Sequence, residues 1–146
     1  MTTPTTTGMT FVHAAHLLAT HLAHHVLPEP ASLAVMTRAG KSVLTVQVRS
    51  DTVPSVATEL LAWADTLRTV TAGVWRTPVG DRVHLSITST VNDSAGAVAL
   101  DVYGGADHNP GLFADLAPSE HRDVSLEQLR TWAATATDPT GGGGAA

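Results

Sequence analysis

The chain has 146 residues, a length that suits one domain, with thirteen acidic against eight basic side chains, a net charge of −5 and no cysteine. The basic residues are scattered, with no Lys/Arg run to neutralise phosphates, which argues against nucleic acid and anionic membrane surfaces as partners. Without cysteine there is no disulfide, thiolate nucleophile or cysteine-based zinc site. No apolar run approaches the roughly 18 residues of a membrane span.

Residues 1–8 are rich in threonine and proline, and residues 138–146 end in Pro139, four glycines and two alanines. Such segments bury too little apolar surface to offset the cost of ordering them, so both are expected to be disordered tails flanking a single domain over residues 9–137. The first residues are not a charged segment followed by an apolar one. No secretory signal is therefore expected, and the cytoplasm is the expected location.

A first helix is predicted from Thr10 to about Leu27, with Phe11, Ala15, Leu18, Leu22 and Val26 forming one apolar stripe before Pro28 and Pro30 end it. A hairpin follows, with arms Ser32–Arg38 and Ser42–Arg49 around Ala39-Gly40; Leu44, Val46 and Val48 alternate with polar residues, and Leu33 and Val35 match them. The second helix is capped by Asp51 or Thr52, tolerates Pro54 in its first turn, and carries Val53, Val56, Leu60, Trp63 and Leu67 on one face. Three strands are then predicted at Val70–Thr77, Arg82–Val91 and Ala97–Tyr103. From Gly104 the chain reads as a loop to Asp123, broken by a short helical turn over Pro110–Leu116. A last helix starts at Ser125, where Gln128 completes a capping box, and runs to about Ala136.

This order, α-ββ-α-βββ-α, predicts an α+β domain with a five-stranded antiparallel sheet and its helices packed on one face. Roadblock-type dimer modules share that order of elements, a likeness of topology only. The stretches Glu59-Leu60-Leu61-Ala62-Trp63-Ala64-Asp65 and Val102-Tyr103-Gly104-Gly105-Ala106-Asp107-His108 carry a further resemblance. Through them, the chain from about Leu22 to Trp132 resembles small α+β proteins of high-GC actinobacteria and their mobile elements, for which no activity is established. Arginine outnumbering lysine seven to one fits such an origin.

Three places carry candidate chemistry. The first is the histidine cluster His13, His16, His21, His24 and His25. His21 and His25 stand at i, i+4, a spacing that suits one divalent metal, but a third ligand is missing nearby; plain helix surface is the simpler reading. The second is the run from Tyr103 to Gly111, where Asp107 and His108 are adjacent. A carboxylate can orient an imidazole as a base, but the bland account is a turn in which Asp107 or Asn109 caps a helix begun by Pro110. The third is the solvated sheet face, where Trp75, His84, Asp101 and Tyr103 fall on one side of their strands. Aromatics among short polar residues suit protein recognition, although Trp75 can equally pack under the last helix with Trp132.

The preferred expectation is a non-catalytic protein-binding or adaptor module acting through Trp75, His84, Asp101 and Tyr103, with no cofactor. It has a protein partner and forms a homodimer through a sheet edge or the first helix. An enzyme or metal-dependent ligand binder using Asp107 and His108 is the alternative. A DNA-associated regulator using Arg38, Lys41 and Arg49 is the second alternative.

Overall fold

A computed structural model of the chain describes residues 6–94 and 96–135, with side chains from Phe11 onward. In chain order these form α1 (Thr6–His24), β1 (Ser32–Arg38), β2 (Lys41–Gln47), α2 (Val53–Ala64), β3 (Thr71–Arg76), β4 (Arg82–Asp93), β5 (Gly96–Asp107), α3 (Pro110–Phe113), β6 (His121–Val124) and α4 (Leu126–Ala134). Residues 1–5 and 136–146, which include most of both expected tails and the expected end of the last helix, lie outside the described residues.

The domain is α+β, but its sheet has six strands in the order β1-β2-β5-β4-β3-β6 and is mixed. All neighbouring pairs are antiparallel except β2 and β5, which run parallel with Val43 beside Ala99 and Gln47 beside Tyr103. The expectation of five antiparallel strands is corrected on both counts. From β2 the chain passes through α2 and the β3–β4 hairpin before β5 returns beside β2, and a crossover of that length permits parallel pairing. The sixth strand lacks an apolar alternation. His121–Val124 pairs with Trp75–Ala72 and so covers part of an otherwise open edge of β3.

Local signals explain most element ends. Ala39 and Gly40 both take positive φ, 53° and 76°, the two-residue turn whose twist matches a hairpin. Thr52 caps α2 by accepting from the Ser55 amide, and Ser125 caps α4 by accepting from the Gln128 amide at 3.0 Å. Asn109, not Asp107, caps α3, its side chain accepting from the Gly111 amide at 2.8 Å.

The predicted loop after Tyr103 is also corrected, because β5 continues through Gly104 and Gly105 to Asp107. The reason lies beneath the sheet. A Cβ on Gly104 would stand 2.5 Å from Val48 Cγ2 and 2.9 Å from Val56 Cγ1. The glycine therefore lets α2 press onto β5 without interrupting the strand.

One layer of helices covers one face of the sheet. Leu44, Val46, Val83, Leu85, Ile87, Leu100 and Val102 meet Leu17 and Leu18 of α1, Val56, Leu60 and Trp63 of α2, and Leu129 and Trp132 of α4 in one core. On α1 the buried residues are Ala14, Leu17 and Leu18, whereas Ala15 and Val26 are exposed. The predicted stripe is thus turned toward Leu17 and His21, and the helix ends at His24 before Val26 can join it.

Candidate functional site

The opposite face of the sheet is left open by every helix among the described residues, and the strand registers assemble two adjacent rows across it. In the first row Gly105, His84, Trp75 and His121 stand side by side on β5, β4, β3 and β6. In the second, Gln47, Tyr103, Ser86, Gly73 and Asp123 do the same across five strands. Alternation puts these side chains opposite the aliphatic ones in the core, so the pattern that fills the core also builds this surface.

The rings are in contact. Trp75 meets His84 edge-on at 5.4 Å between centroids, and His84 stacks on Tyr103 at 5.9 Å with planes 8° apart. The Tyr103 hydroxyl donates to Gln47 Oε1 at 3.4 Å, which also accepts from the Ser32 hydroxyl at 3.3 Å, extending the polar contacts to β1. Two glycines give the rings room. A Cβ on Gly73 would lie 3.2 Å from the His121 imidazole, and one on Gly105 would lie 3.0 Å from the Arg82 guanidinium.

Two ion pairs neutralise part of the charge on this face, and Asp123 adds an exposed carboxylate on β6. Arg82 binds Asp107 at 3.0 Å and Arg38 binds Asp101 at 3.4 Å. Burial, and then the nearby Arg82, hold the His84 imidazole below its ordinary pKa, so it is neutral at physiological pH. The surface therefore offers uncharged ring faces and short polar groups between two ion pairs.

Of the four residues expected here, Trp75, His84 and Tyr103 are in contact as one group, and Asp101 lies two residues along β5 in its bridge to Arg38. Trp75 does not pack under the last helix; Trp132 is held instead by Phe113, edge-on at 5.1 Å. Sequence reasoning missed His121, Gly73, Gly105 and Gln47 as members of this surface. No alternation marks His121–Val124 as a strand, and a glycine signals close approach without saying to what.

Asp107 and His108 are directed to different partners. The Asp107 carboxylate accepts from Arg82 on the open face, while His108 Nε2 meets the Phe113 carbonyl at 3.2 Å. Ser86, His121 and Asp123 share the open face, but no hydrogen bond joins them among the described residues. The side chains of Arg38 and Arg49 serve Asp101 and the Pro30 carbonyl, the latter at 3.4 Å.

His16, His21 and His24 of α1, with His25 just beyond it, line a separate groove of about 710 Å³, walled also by Arg68, Asp93 and the end of β4. The Thr66 hydroxyl donates to the Trp63 carbonyl at 2.7 Å, so it accepts from His21 Nε2 at 2.8 Å, which fixes the proton on that nitrogen. The His21 ring stacks on Trp63 at 5.9 Å and stands 4.5 Å from His25. His24 Nδ1 donates to the Thr20 carbonyl at 2.8 Å, and His13 reaches Asp93 at 3.1 Å. The expected pair His21 and His25 is thus adjacent, yet no group of three or more His, Cys, Asp or Glu side chains placed to hold a metal occurs among the described residues.

No helix among the described residues is long and apolar enough to cross a membrane. No family model, no curated protein and no solved structure matches the chain.

Proposed function

We propose that the protein is a non-catalytic binding module that recognises a protein partner on the open face of its sheet. The contiguous group Trp75, His84 and Tyr103 carries this reading, because it lies on a face that no helix covers among the described residues. Aromatic side chains give large contact area at small entropic cost and dominate binding hot spots. The two flanking ion pairs leave little net charge, which favours planar or apolar partner side chains (aromatic, proline or the flat face of arginine) over a polyanion.

The test is affinity capture from the native host with wild-type protein and with Trp75→Thr/Tyr103→Thr. Threonine removes the rings but keeps β-propensity, so circular dichroism should report an unchanged fold. A protein retained by the wild type and lost with the double variant is the expected result. Equal retention by both sinks the proposed surface.

A further inference from the structure

Among the described residues, five large hydrophobic side chains are exposed, and four of them lie on or beside α1 and β1: Val12 on α1, Val26 just beyond it, and Leu33 and Met36 on β1. Strand β1 is a sheet edge, pairing among the described residues only with β2. From Ser32 to Thr37 it carries no proline, bulge or charge, and Arg38 at its end is engaged by Asp101. Beside it runs an apolar groove of about 260 Å³ in which Ala15, Ala19 and Leu22 of α1 face Leu33 and Val35 of β1.

The hydrogen-bonding direction of each β1 residue is fixed by the structure. In a two-residue hairpin turn the flanking residues, here Arg38 and Lys41, bond to each other, and bonded pairs then recur at every second position. The Val48 amide donates to the Tyr103 carbonyl at 2.9 Å, which gives the same parity from the other side of β2. Ser32, Ala34, Met36 and Arg38 therefore spend their amides and carbonyls on β2. Leu33, Val35 and Thr37 point theirs outward.

We propose that this edge is occupied by β1 of a second copy of the chain, paired antiparallel about a two-fold axis at Val35. In that register every outward group finds a partner: Val35 bonds Val35 of the second copy, and Leu33 bonds Thr37 in both directions. On the helix side Leu33 stands opposite Thr37. On the open side Ala34 stands opposite Met36 and Ser32 opposite Arg38, so no like charges face each other. The two grooves meet at the axis, where Ala15 and Ala19 let the two α1 helices approach closely, and Val12 and Leu22 continue the same stripe. An edge of seven residues is about 24 Å long. With a sheet layer and a helix layer together about 20 Å deep, the pair buries roughly 1,000 Å², the lower end for specific interfaces. The dimer is accordingly reversible. It forms one continuous sheet whose two open faces lie on the same side, and it stands whether or not those faces bind a protein.

Sedimentation of the full chain across a concentration series tests this directly. The wild type is expected to pass from monomer to dimer as concentration rises. Val35→Pro removes only an outward amide, which an edge strand tolerates, and should leave a folded monomer. Leu33→Lys alone and Thr37→Glu alone should each raise the dissociation constant about tenfold, and Leu33→Lys/Thr37→Glu together should restore it to within about threefold, because the register sets those positions opposite each other twice. A wild type that remains monomeric throughout overturns the proposal, as does a dimer indifferent to Val35→Pro. If Val35→Pro fails to fold, the charge series decides alone: no rescue in the double variant rules out this register.

Discussion

On β5, Leu100, Val102 and Ala106 lie under the helices with almost no exposure, while Asp101, Tyr103 and Gly105, one step along the same strand, are only half-buried. The same division runs through β4, where Val83, Leu85 and Ile87 are sealed and Arg82, His84 and Ser86 are not. The covered face is built from aliphatic side chains that pack by shape. The open face is built from rings, hydroxyls and glycines whose contacts depend on specific geometry. One face therefore carries stability and the other is free to carry recognition, and substitutions on the two should separate accordingly.

The sharpest separation is between two tryptophans. Trp63 is fully buried on α2, stacked against His21 of α1, whereas Trp75 lies on the open face against His84. Trp63→Ala should cost about 3–5 kcal/mol through lost burial and an unfilled cavity. Trp75→Thr, which keeps a β-branched residue in the strand, should cost about 1 kcal/mol. Urea unfolding measures both. Equal losses would mean that the open face is as tightly packed as the core and would remove the basis for reading it as a binding surface.

Two consecutive glycines offer a finer comparison. A methyl group at Gly104 enters the space of Val48 and Val56 between sheet and helix, so Gly104→Ala should destabilise by about 1–3 kcal/mol. At Gly105 the added carbon meets the Arg82 guanidinium at 3.0 Å, the end of a long flexible side chain, and Gly105→Ala should stay within about 0.5 kcal/mol of wild type. Thermal unfolding of the pair checks this. A larger loss at Gly105 than at Gly104 would reverse the assignment of covered and open faces.

The same two glycines show how far the sequence could be read. Alternation in Val83-Leu85-Ile87 and Leu44-Val46-Val48, helix caps at Thr52 and Ser125, and the Ala39-Gly40 turn are local signals, and each marks its element in the sequence as in the structure. Tyr103, His84 and Trp75 fall on one face by the same local rule. What local pattern does not encode is which strands become neighbours. The parallel pairing of β2 with β5 and the pairing of His121–Val124 with β3 arise from packing between distant segments. Gly-Gly read as a loop because its function, admitting Val56 of α2, is a tertiary contact. On α1, the helical period was clear, but two apolar stripes compete for the core. Leu17 and Leu18 win with Ala14 between them, leaving Val12, Ala15 and Ala19 outside.

The smallest expected effect compares one histidine from each side of the sheet. His21 is held below its ordinary pKa of 6.5 first by burial and then by His25, and His84 first by burial and then by Arg82. In both cases the unfolded chain binds the proton more readily than the folded one. Their contribution to stability is therefore full above about pH 6.5 and is lost as pH falls through the lowered folded values. Melting temperature should drop between pH 7.5 and 5.5 in the wild type. His21→Gln, whose amide can still donate to the Thr66 hydroxyl, and His84→Gln should each flatten that slope. Burial beside Trp63 is a property of the folded core, so the His21 share should persist when partner capture through the open face is abolished by Trp75→Thr/Tyr103→Thr. The His84 share should change in that background, because the two rings that help exclude water from its imidazole are gone and its pKa moves back toward 6.5. An unchanged pH slope for His84 in the double variant would show that the rings do not shield it.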